Sequence, residues 1–234
     1  MSRLLTYLFG RLPIGWLQLS HNKARLAAAV SGVAFANLLV FMQLGILGAL
    51  NGSTIAPYTM LSADILVSSE DGNTLTDSGN VARTRMFQAL GVPGVASAAP
   101  LYIGNLPFSM TDGTSVSLLA FGVDTSHPSF VSPVIAASLG ALETENTALL
   151  DTQTRGVPET AFHGLLEGKP FSFEVNGQTM TAIGTLEVGG GFLADGTLVV
   201  SDQTFLRFFE RRSSGAPSHI LIKANDNVSL DSVV

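Results

Sequence analysis

The chain has 234 residues, a net charge of −6 and no cysteine, which excludes disulfide bonds and thiolate chemistry. The first fifty residues hold four Lys and Arg and no acid, whereas residues 51–234 hold eight Lys and Arg and all 18 acidic residues, a net charge of −10. Polynucleotides and anionic lipid surfaces repel so acidic a region, which argues against nucleic acid as a partner.

Residues 1–25 are predicted to form a cytoplasmic, interfacial segment. Pro13 and Gly15 interrupt any single long helix there, and the indole of Trp16 suits the headgroup level of a bilayer. Cationic residues beside a span are attracted to anionic headgroups. The cations of this segment are Arg3, Arg11, Lys23 and Arg25.

Residues 26–50 are predicted to form a transmembrane helix that crosses the lipid bilayer. This stretch contains 25 consecutive residues without Asp, Glu, Lys, Arg or His. At about 1.5 Å per residue it exceeds the roughly 30 Å hydrocarbon core, and it is too long for a signal peptide. The positive-inside bias places the amino terminus in the cytoplasm and the residues after Leu50 outside, in a protein of the inner (plasma) membrane.

Small residues recur within the predicted span at intervals of four. Ala28, Gly32 and Ala36 share one stripe, and Gly45 and Ala49 repeat the spacing. Such a stripe lets a second helix approach closely, although glycine and alanine are also common in spans for other reasons. Both interpretations stay open.

Residues 51–63 are predicted to form a stalk, because Asn51 to Ser62 is uncharged and follows the span directly. The domain that follows, residues 64–234, is predicted to be α+β and extracytoplasmic, because short apolar strands alternate irregularly with helices. The predicted strands are 64–68, 102–106, 116–123, 148–150, 171–175, 179–188, 198–200 and 220–222.

Capping and turn residues predict the other elements of this domain. Ser78 or Asn80 is expected to cap a helix over 81–90, with Gly91 just past its end. Ser201 or Asp202 is expected to cap a helix through Phe209. Asn176-Gly177 predicts a two-residue hairpin turn, because both residues tolerate positive φ.

The sequence contains no catalytic signature, so we expect no catalytic, cofactor-binding or metal residues. There is no Gly-x4-Gly-Lys-Ser/Thr loop, no Gly-x-Ser-x-Gly elbow and no His-Glu-x-x-His motif. The glycine triplet 189–191 lacks the lysine of a phosphate-binding loop and is interpreted as a flexible turn. ATP hydrolysis would therefore require a separate partner.

The histidines and carboxylate pairs also have plain structural interpretations. Asp124, Ser126 and His127 are close in sequence, but such a cluster beside a proline indicates a turn rather than a catalytic triad. Glu143 and Glu145 are expected at a solvated loop edge. The other histidines, none of which has a second ligand at metal spacing, are His21, His163 and His219.

Three sets of residues resemble a known permease family. The first is Trp16-Leu17-Gln18-Leu19 with Lys23 and Arg25, leading into Ala34-Phe35 and Phe41-Met42-Gln43-Leu44-Gly45. The second is Gly191-Phe192-Leu193-Ala194-Asp195-Gly196 with Ser201-Asp202 and Phe205-Leu206, and Leu149-Leu150-Asp151 is a weaker marker. In combination they resemble the DevC-type permeases of the FtsX and MacB superfamily.

This resemblance implies a MacB-like periplasmic domain between the first and second of four spans. It implies a homodimer that pairs with a cytoplasmic ABC ATPase, a periplasmic membrane-fusion adaptor and, in the DevC branch, an outer-membrane channel. The implied activity is export of glycolipids or other amphiphiles. The subunit would be non-catalytic and would transmit ATP-driven motion to its outer domain.

The chain ends at Val234, where the family would continue into three more spans. We therefore expect an N-terminal fragment, a split permease subunit or a truncated gene product. The competing hypothesis is a single-span, membrane-anchored extracytoplasmic module for binding or sensing. The residues do not identify a substrate.

Overall fold

The computed structural model describes residues 21–109, 115–189, 191, 194–226 and 228. Contacts divide the chain into two compact units, Met1–Ala49 and Leu50–Val234. Residues 1–20 of the predicted interfacial segment, including Trp16, lie outside the described residues.

The first helix, α1, is a single uninterrupted helix from Lys23 to Ile55. None of its residues is buried, and large apolar side chains such as Phe41, which is 70 % exposed, face outward. A helix that is apolar all round needs an apolar environment on every side. Among the described helices it alone is long and apolar enough to cross a membrane.

A short 3-10 helix, Ala56–Met60, follows α1 within the predicted stalk, and its Pro57 and Met60 are buried. The next residues bond to the loop at 130–132: Ser62 N–H donates to the carbonyl of Phe130 at 2.9 Å, and Ser132 N–H to that of Met60 at 2.8 Å. Residues 57–62 are therefore held in the packing of the domain.

The described part of the domain contains five short helices and eight strands. The helices are α2 Thr84–Leu90, α3 Pro133–Ala136, α4 Leu139–Leu142, α5 Glu159–Leu166 and α6 Asp202–Phe208, with a 3-10 helix at Pro128–Phe130. The strands are β1 Ile65–Val67, β2 Val95–Ser109, β3 Ser115–Val123, β4 Thr147–Asp151, β5 Phe171–Val175, β6 Gln178–Leu186, β7 Gly196–Ser201 and β8 His219–Ala224.

All eight strands belong to one mixed sheet, in the order β1-β8-β2-β3-β7-β4-β6-β5. The β3–β7 and β4–β6 pairs are parallel, whereas the other neighbours are antiparallel. One further pairing, Ser109 with Glu174, connects β5 back to the end of β2. The strands β2, β3, β7, β4, β6 and β5 thus form a closed ring. Strand β8 pairs with the first half of β2, and β1 pairs with β8.

Strands β4 and β7 are buried on both faces, which explains why they read as apolar runs, whereas β5 alternates between buried and exposed residues. One core contains Tyr102, Leu118 and Leu198 and is covered by α5 and α6. The other contains Leu101, Phe121 and Val199 and is covered by the 3-10 helices, α3 and α4. Successive residues of one strand therefore point into different cores.

The predicted α+β class and every predicted strand are confirmed, although β2 is far longer than the predicted 102–106. The Asn176-Gly177 turn is confirmed, with φ of 49° and 75°. Ser201 caps α6 by accepting a hydrogen bond from Thr204 N–H at 3.2 Å.

The predicted start of the helix over 81–90 is wrong. Val81 N–H donates to Pro217 O, and Arg83 N–H donates to Gly215 O, both at 2.8 Å, so this stretch pairs with a distant loop. The helix α2 begins at Thr84 without a side-chain cap, and neither Ser78 nor Asn80 caps it.

Candidate functional site

The candidate site is a cavity of about 220 Å³ inside the unit Leu50–Val234, which we call the helix-end cavity. One side is formed by the end of α1 and the residues after it, including Leu50, Thr54 and Pro57. The opposite side includes Leu119 of β3 and Thr197 of β7. It brings together residues from four separate stretches of the sequence, around positions 50–57, 74–76, 119 and 189–197.

A buried carboxylate organises the loops beside this cavity. Asp151, at the end of β4, is 0 % exposed. Its carboxylate accepts hydrogen bonds from the backbone N–H groups of Gln153 and Val188, both at 3.1 Å, and of Gly189 at 2.8 Å. Three such bonds satisfy a charge that would otherwise be costly to bury. Asp151 thereby ties the loop after β6 to the end of β4.

Gly189 is the first residue of the glycine triplet 189–191, and it adopts a φ of +97°. Such a conformation suits a turn, and glycine adopts it without steric cost. Because the N–H of Gly189 already donates to Asp151, that amide is engaged by the protein itself. Gly190 lies outside the described residues.

The start of β7 is fixed against the same loops. A Cβ on Gly196 would lie 2.1 Å from Thr154 Oγ1, so no larger residue fits this position. Arg155 N–H donates to Asp195 O at 3.0 Å, and the Arg155 guanidinium donates to Gly191 O at 2.8 Å.

Thr154 and Arg155, which follow the Leu149–Asp151 marker of the family resemblance, thus contact Gly191, Asp195 and Gly196 of the second resembling segment. Phe192 and Leu193 of the second segment lie outside the described residues. The sequence offered one signal for this arrangement, an Asp directly after a buried apolar strand. The partners of Asp151 are 37 and 38 residues away, and no local pattern indicates them.

The Ser201-Asp202 and Phe205-Leu206 residues lie where α6 packs against the sheet. Phe205 stacks on Phe209 with ring centroids 4.2 Å apart and lies against Gly122, where a Cβ would come within 2.6 Å of it. Strand β3 and helix α6 can therefore approach closely.

Asp124 and His127 form the turn that the sequence predicts. Ser126 N–H donates to Asp124 Oδ1 at 2.9 Å, and His127 Nδ1 lies 3.0 Å from Asp124 Oδ2. Burial raises the pKa of Asp124, but the hydrogen bonds from Ser126 and His127 outweigh it and hold that pKa below its usual range.

Asp202 follows β7 as Asp124 follows β3, and these two strands are parallel with Val123 opposite Ser201. Burial, and then the charge of Asp124, raise the pKa of Asp202. Among the described residues, no three His, Asp or Glu side chains are grouped so that they could hold a metal ion.

The remaining sequence candidates are dispersed. Glu145 forms an exposed, two-point ion pair with Arg207, with both N–O distances at 2.7 Å. His219 is buried, with Nε2 2.8 Å from Leu75 O and Nδ1 2.8 Å from Ser68 Oγ. His21 and His163 are exposed.

The sequence of residues 26–234 matches the family described as the MacB-like periplasmic core domain. Among curated proteins none matches the chain.

Several solved structures are similar to it. The periplasmic region of MacB from Actinobacillus actinomycetemcomitans is 12 % identical, with 80 % of this chain and 83 % of that chain covered and a TM-score of 0.46. The extracellular domain of the noncanonic ABC-type transporter YknZ from Gram-positive bacteria is 13 % identical, with 74 % and 87 % covered and a TM-score of 0.39. A domain of a permease protein from Porphyromonas gingivalis is 15 % identical, with 66 % and 71 % covered and a TM-score of 0.42.

The family match covers nearly the whole described chain, including the end of α1, the eight-stranded sheet and the loops around Asp151. The chain therefore belongs to the MacB-like periplasmic core domain family, the periplasmic domains of ABC-transporter permeases.

Proposed function

We propose that the chain is a permease subunit, or the amino-terminal part of one, in an ABC-type exporter of glycolipids or other amphiphiles. Residues 1–25 are its cytoplasmic segment, 26–50 its span, 51–63 its stalk and 64–234 its extracytoplasmic domain. It acts as a homodimer with a cytoplasmic ABC ATPase, a periplasmic adaptor and an outer-membrane channel, and it transmits motion without catalysing a reaction.

The observation that supports transmission is the way the chain continues beyond α1. No break separates Lys23 from Ile55, and the next residues enter the packed domain, where Pro57 and Met60 are buried. A helix is stiff along its axis, and close-packed interiors transmit strain. A displacement of the end of α1 would therefore be passed to the sheet rather than absorbed by a loose linker.

Copurification tests this proposal. The tagged full chain is isolated from detergent-solubilised membranes of its own host, and the bound proteins are identified by mass spectrometry. We expect an ATPase with a Gly-x4-Gly-Lys-Ser/Thr loop and a membrane-fusion adaptor in comparable amounts to the chain. If neither protein is recovered after chemical cross-linking in intact cells, the chain is not an exporter subunit. The competing hypothesis, a single-span binding or sensory module, is then supported.

A further inference from the structure

The helix-end cavity differs in chemistry from the surface of this acidic domain. Among the described residues that line it, none carries a charge, and Leu50, Pro57, Leu119 and Ala194 present apolar groups to it. With about 220 Å³ it is smaller than the ~300–1,000 Å³ of sites that enclose a whole small molecule. It therefore suits one uncharged segment of a larger ligand.

One hydroxyl of the cavity lining makes no hydrogen bond to another described residue. Thr197 is only 3 % exposed, and it makes no side-chain hydrogen bond within the described part of the chain. By contrast, the hydroxyls of Ser53 and Thr54 donate to the carbonyl of Leu50 at 3.0 and 2.9 Å. This hydroxyl can donate to an acceptor that a ligand brings into the cavity.

The apolar run ends at Leu50, before the polar residues Asn51 to Thr54, and this sets the level of the cavity. From Leu26 to Leu50 a helix rises about 36 Å, slightly more than the roughly 30 Å hydrocarbon core. Residues 50–54 then lie where acyl chains join the headgroups through ester groups. An ester carbonyl is an uncharged acceptor attached directly to an apolar chain.

We propose that the helix-end cavity binds the ester-bearing upper part of one acyl chain of a membrane lipid, whose carbonyl accepts a hydrogen bond from Thr197 Oγ1. This inference rests on the proposed span over residues 26–50, and it assigns the amphiphile of the proposed function to a place on this chain. It holds for either orientation of the chain in the membrane.

Photo-crosslinking tests the assignment. The full chain is reconstituted in phosphatidylcholine vesicles that contain a phosphatidylcholine with a diazirine beside the acyl ester, and labelled residues are mapped after irradiation. We expect label on Leu119 and Thr197, which lie in the domain and not in the span. A phosphatidylcholine with the diazirine at the chain terminus should label α1 instead.

Three variants make the result specific. Ser53→Trp fills the cavity and should abolish labelling of Leu119 and Thr197, whereas Asn51→Trp, exposed on the same helix and outside the cavity lining, should leave it unchanged. Thr197→Val keeps the shape but removes the hydroxyl, and the loss of one hydrogen bond should lower the labelling of Leu119 about fivefold.

The inference is overturned if the domain is not labelled, or if its labelling persists in Ser53→Trp. Alkaline carbonate extraction separates this failure from that of the proposed function. A chain that stays in the vesicles without label at Leu119 or Thr197 refutes only the lipid site. A chain that carbonate releases has no span, and both proposals then fail.

Discussion

Asp151 is the buried charge on which the loops beside the helix-end cavity depend. Its carboxylate accepts three backbone N–H groups, two of them from Val188 and Gly189. Asp151→Ala leaves these donors without their acceptor in a site closed to water, which we expect to cost about 3 kcal/mol. Thermal unfolding of the full chain in detergent should show Tm lowered by roughly 6–12 °C.

Glu187 provides the matched control for Asp151. It lies on the same loop, but its carboxylate is exposed and accepts one hydrogen bond, from Gln153 Nε2 at 3.0 Å. Exposed polar contacts contribute little, so Glu187→Ala should leave Tm nearly unchanged. Equal shifts for both variants would show that the Asp151 carboxylate does not hold the loops.

His219 makes the stability of the domain depend on pH. Burial lowers the pKa of this imidazole below its ordinary value of 6.5, although the hydrogen bond to Leu75 O acts in the other direction. In the unfolded chain the ring takes up a proton near pH 6.5, while in the folded chain it resists doing so. The stabilisation is therefore complete above about pH 6.5 and is lost as pH falls towards the pKa of the folded state.

His219→Gln should flatten this dependence. We expect the wild-type Tm to fall between pH 7.5 and pH 5.5 by more than that of the variant, whatever the two values are at pH 7.5. The exposed His163→Gln is the control and should keep the wild-type slope. A wild-type slope in His219→Gln would assign the pH dependence to other groups.

Burial on both faces made the central strands β4 and β7 predictable, and the alternation of apolar residues did so for β5. Runs such as Leu149-Leu150 are apolar because β4 contacts both cores, and the Asn-Gly turn has few alternatives. The four-residue helices α3 and α4 were not predicted, because so short a segment shows no helical periodicity. The start of α2 was misplaced because pairing of Val81 with Pro217 outweighs a local cap.

The candidate site was less predictable than the elements. Its cavity combines Leu50 of α1 with Leu119 and Thr197, and the last two are aligned by the register of the parallel strands β3 and β7. Register between distant strands leaves no mark in a single sequence. The Gly196 position is similar, since only contact with Thr154 shows why glycine is needed.

The small-residue stripe of α1 can be tested as a packing surface for a second helix. A Cβ added at Gly32 meets nothing within 4 Å, so Gly32→Leu should not disturb the chain itself. If a second helix packs on this stripe, the larger side chain blocks close approach and weakens the contact. Because the chain has no cysteine, a single Ser31→Cys reports association by disulfide cross-linking in membranes.

We expect Gly32→Leu to lower the cross-linked fraction severalfold, in line with a loss of about 1 kcal/mol. Gly48→Leu is the control, because it lies about 160° around the helix from Gly32 and is equally open. Equal cross-linking in Gly32→Leu and the wild type would remove the stripe as a packing surface.

The distribution of charge along the chain predicts how it crosses the membrane. The four cations that precede the span favour an inner amino terminus. Ser2→Cys should react with a membrane-impermeant maleimide only after spheroplasts are permeabilised. The exposed Ser213→Cys should react in intact spheroplasts. The opposite pattern would invert the proposed orientation.

The proposed transmission depends on the peptide that joins α1 to the sheet, and Leu61 lies in this peptide. Leu61 N–H donates to Tyr58 O at 3.1 Å, and its backbone forms an antiparallel bridge with Val131. Leu61→Pro removes that donor at a cost of about 1 kcal/mol and disfavours the helical backbone of the preceding Met60.

In a complete transporter we expect Leu61→Pro to bind the ATPase and hydrolyse ATP at the wild-type rate while export is lost. Leu61→Ala keeps the N–H donor and should retain export, which separates the backbone effect from the loss of the side chain. Trypsin resistance of the outer domain serves to show that the proline variant is folded. Export at the wild-type rate by the folded Leu61→Pro transporter would show that movement reaches the outer domain by another route, such as contacts between the domains of a dimer.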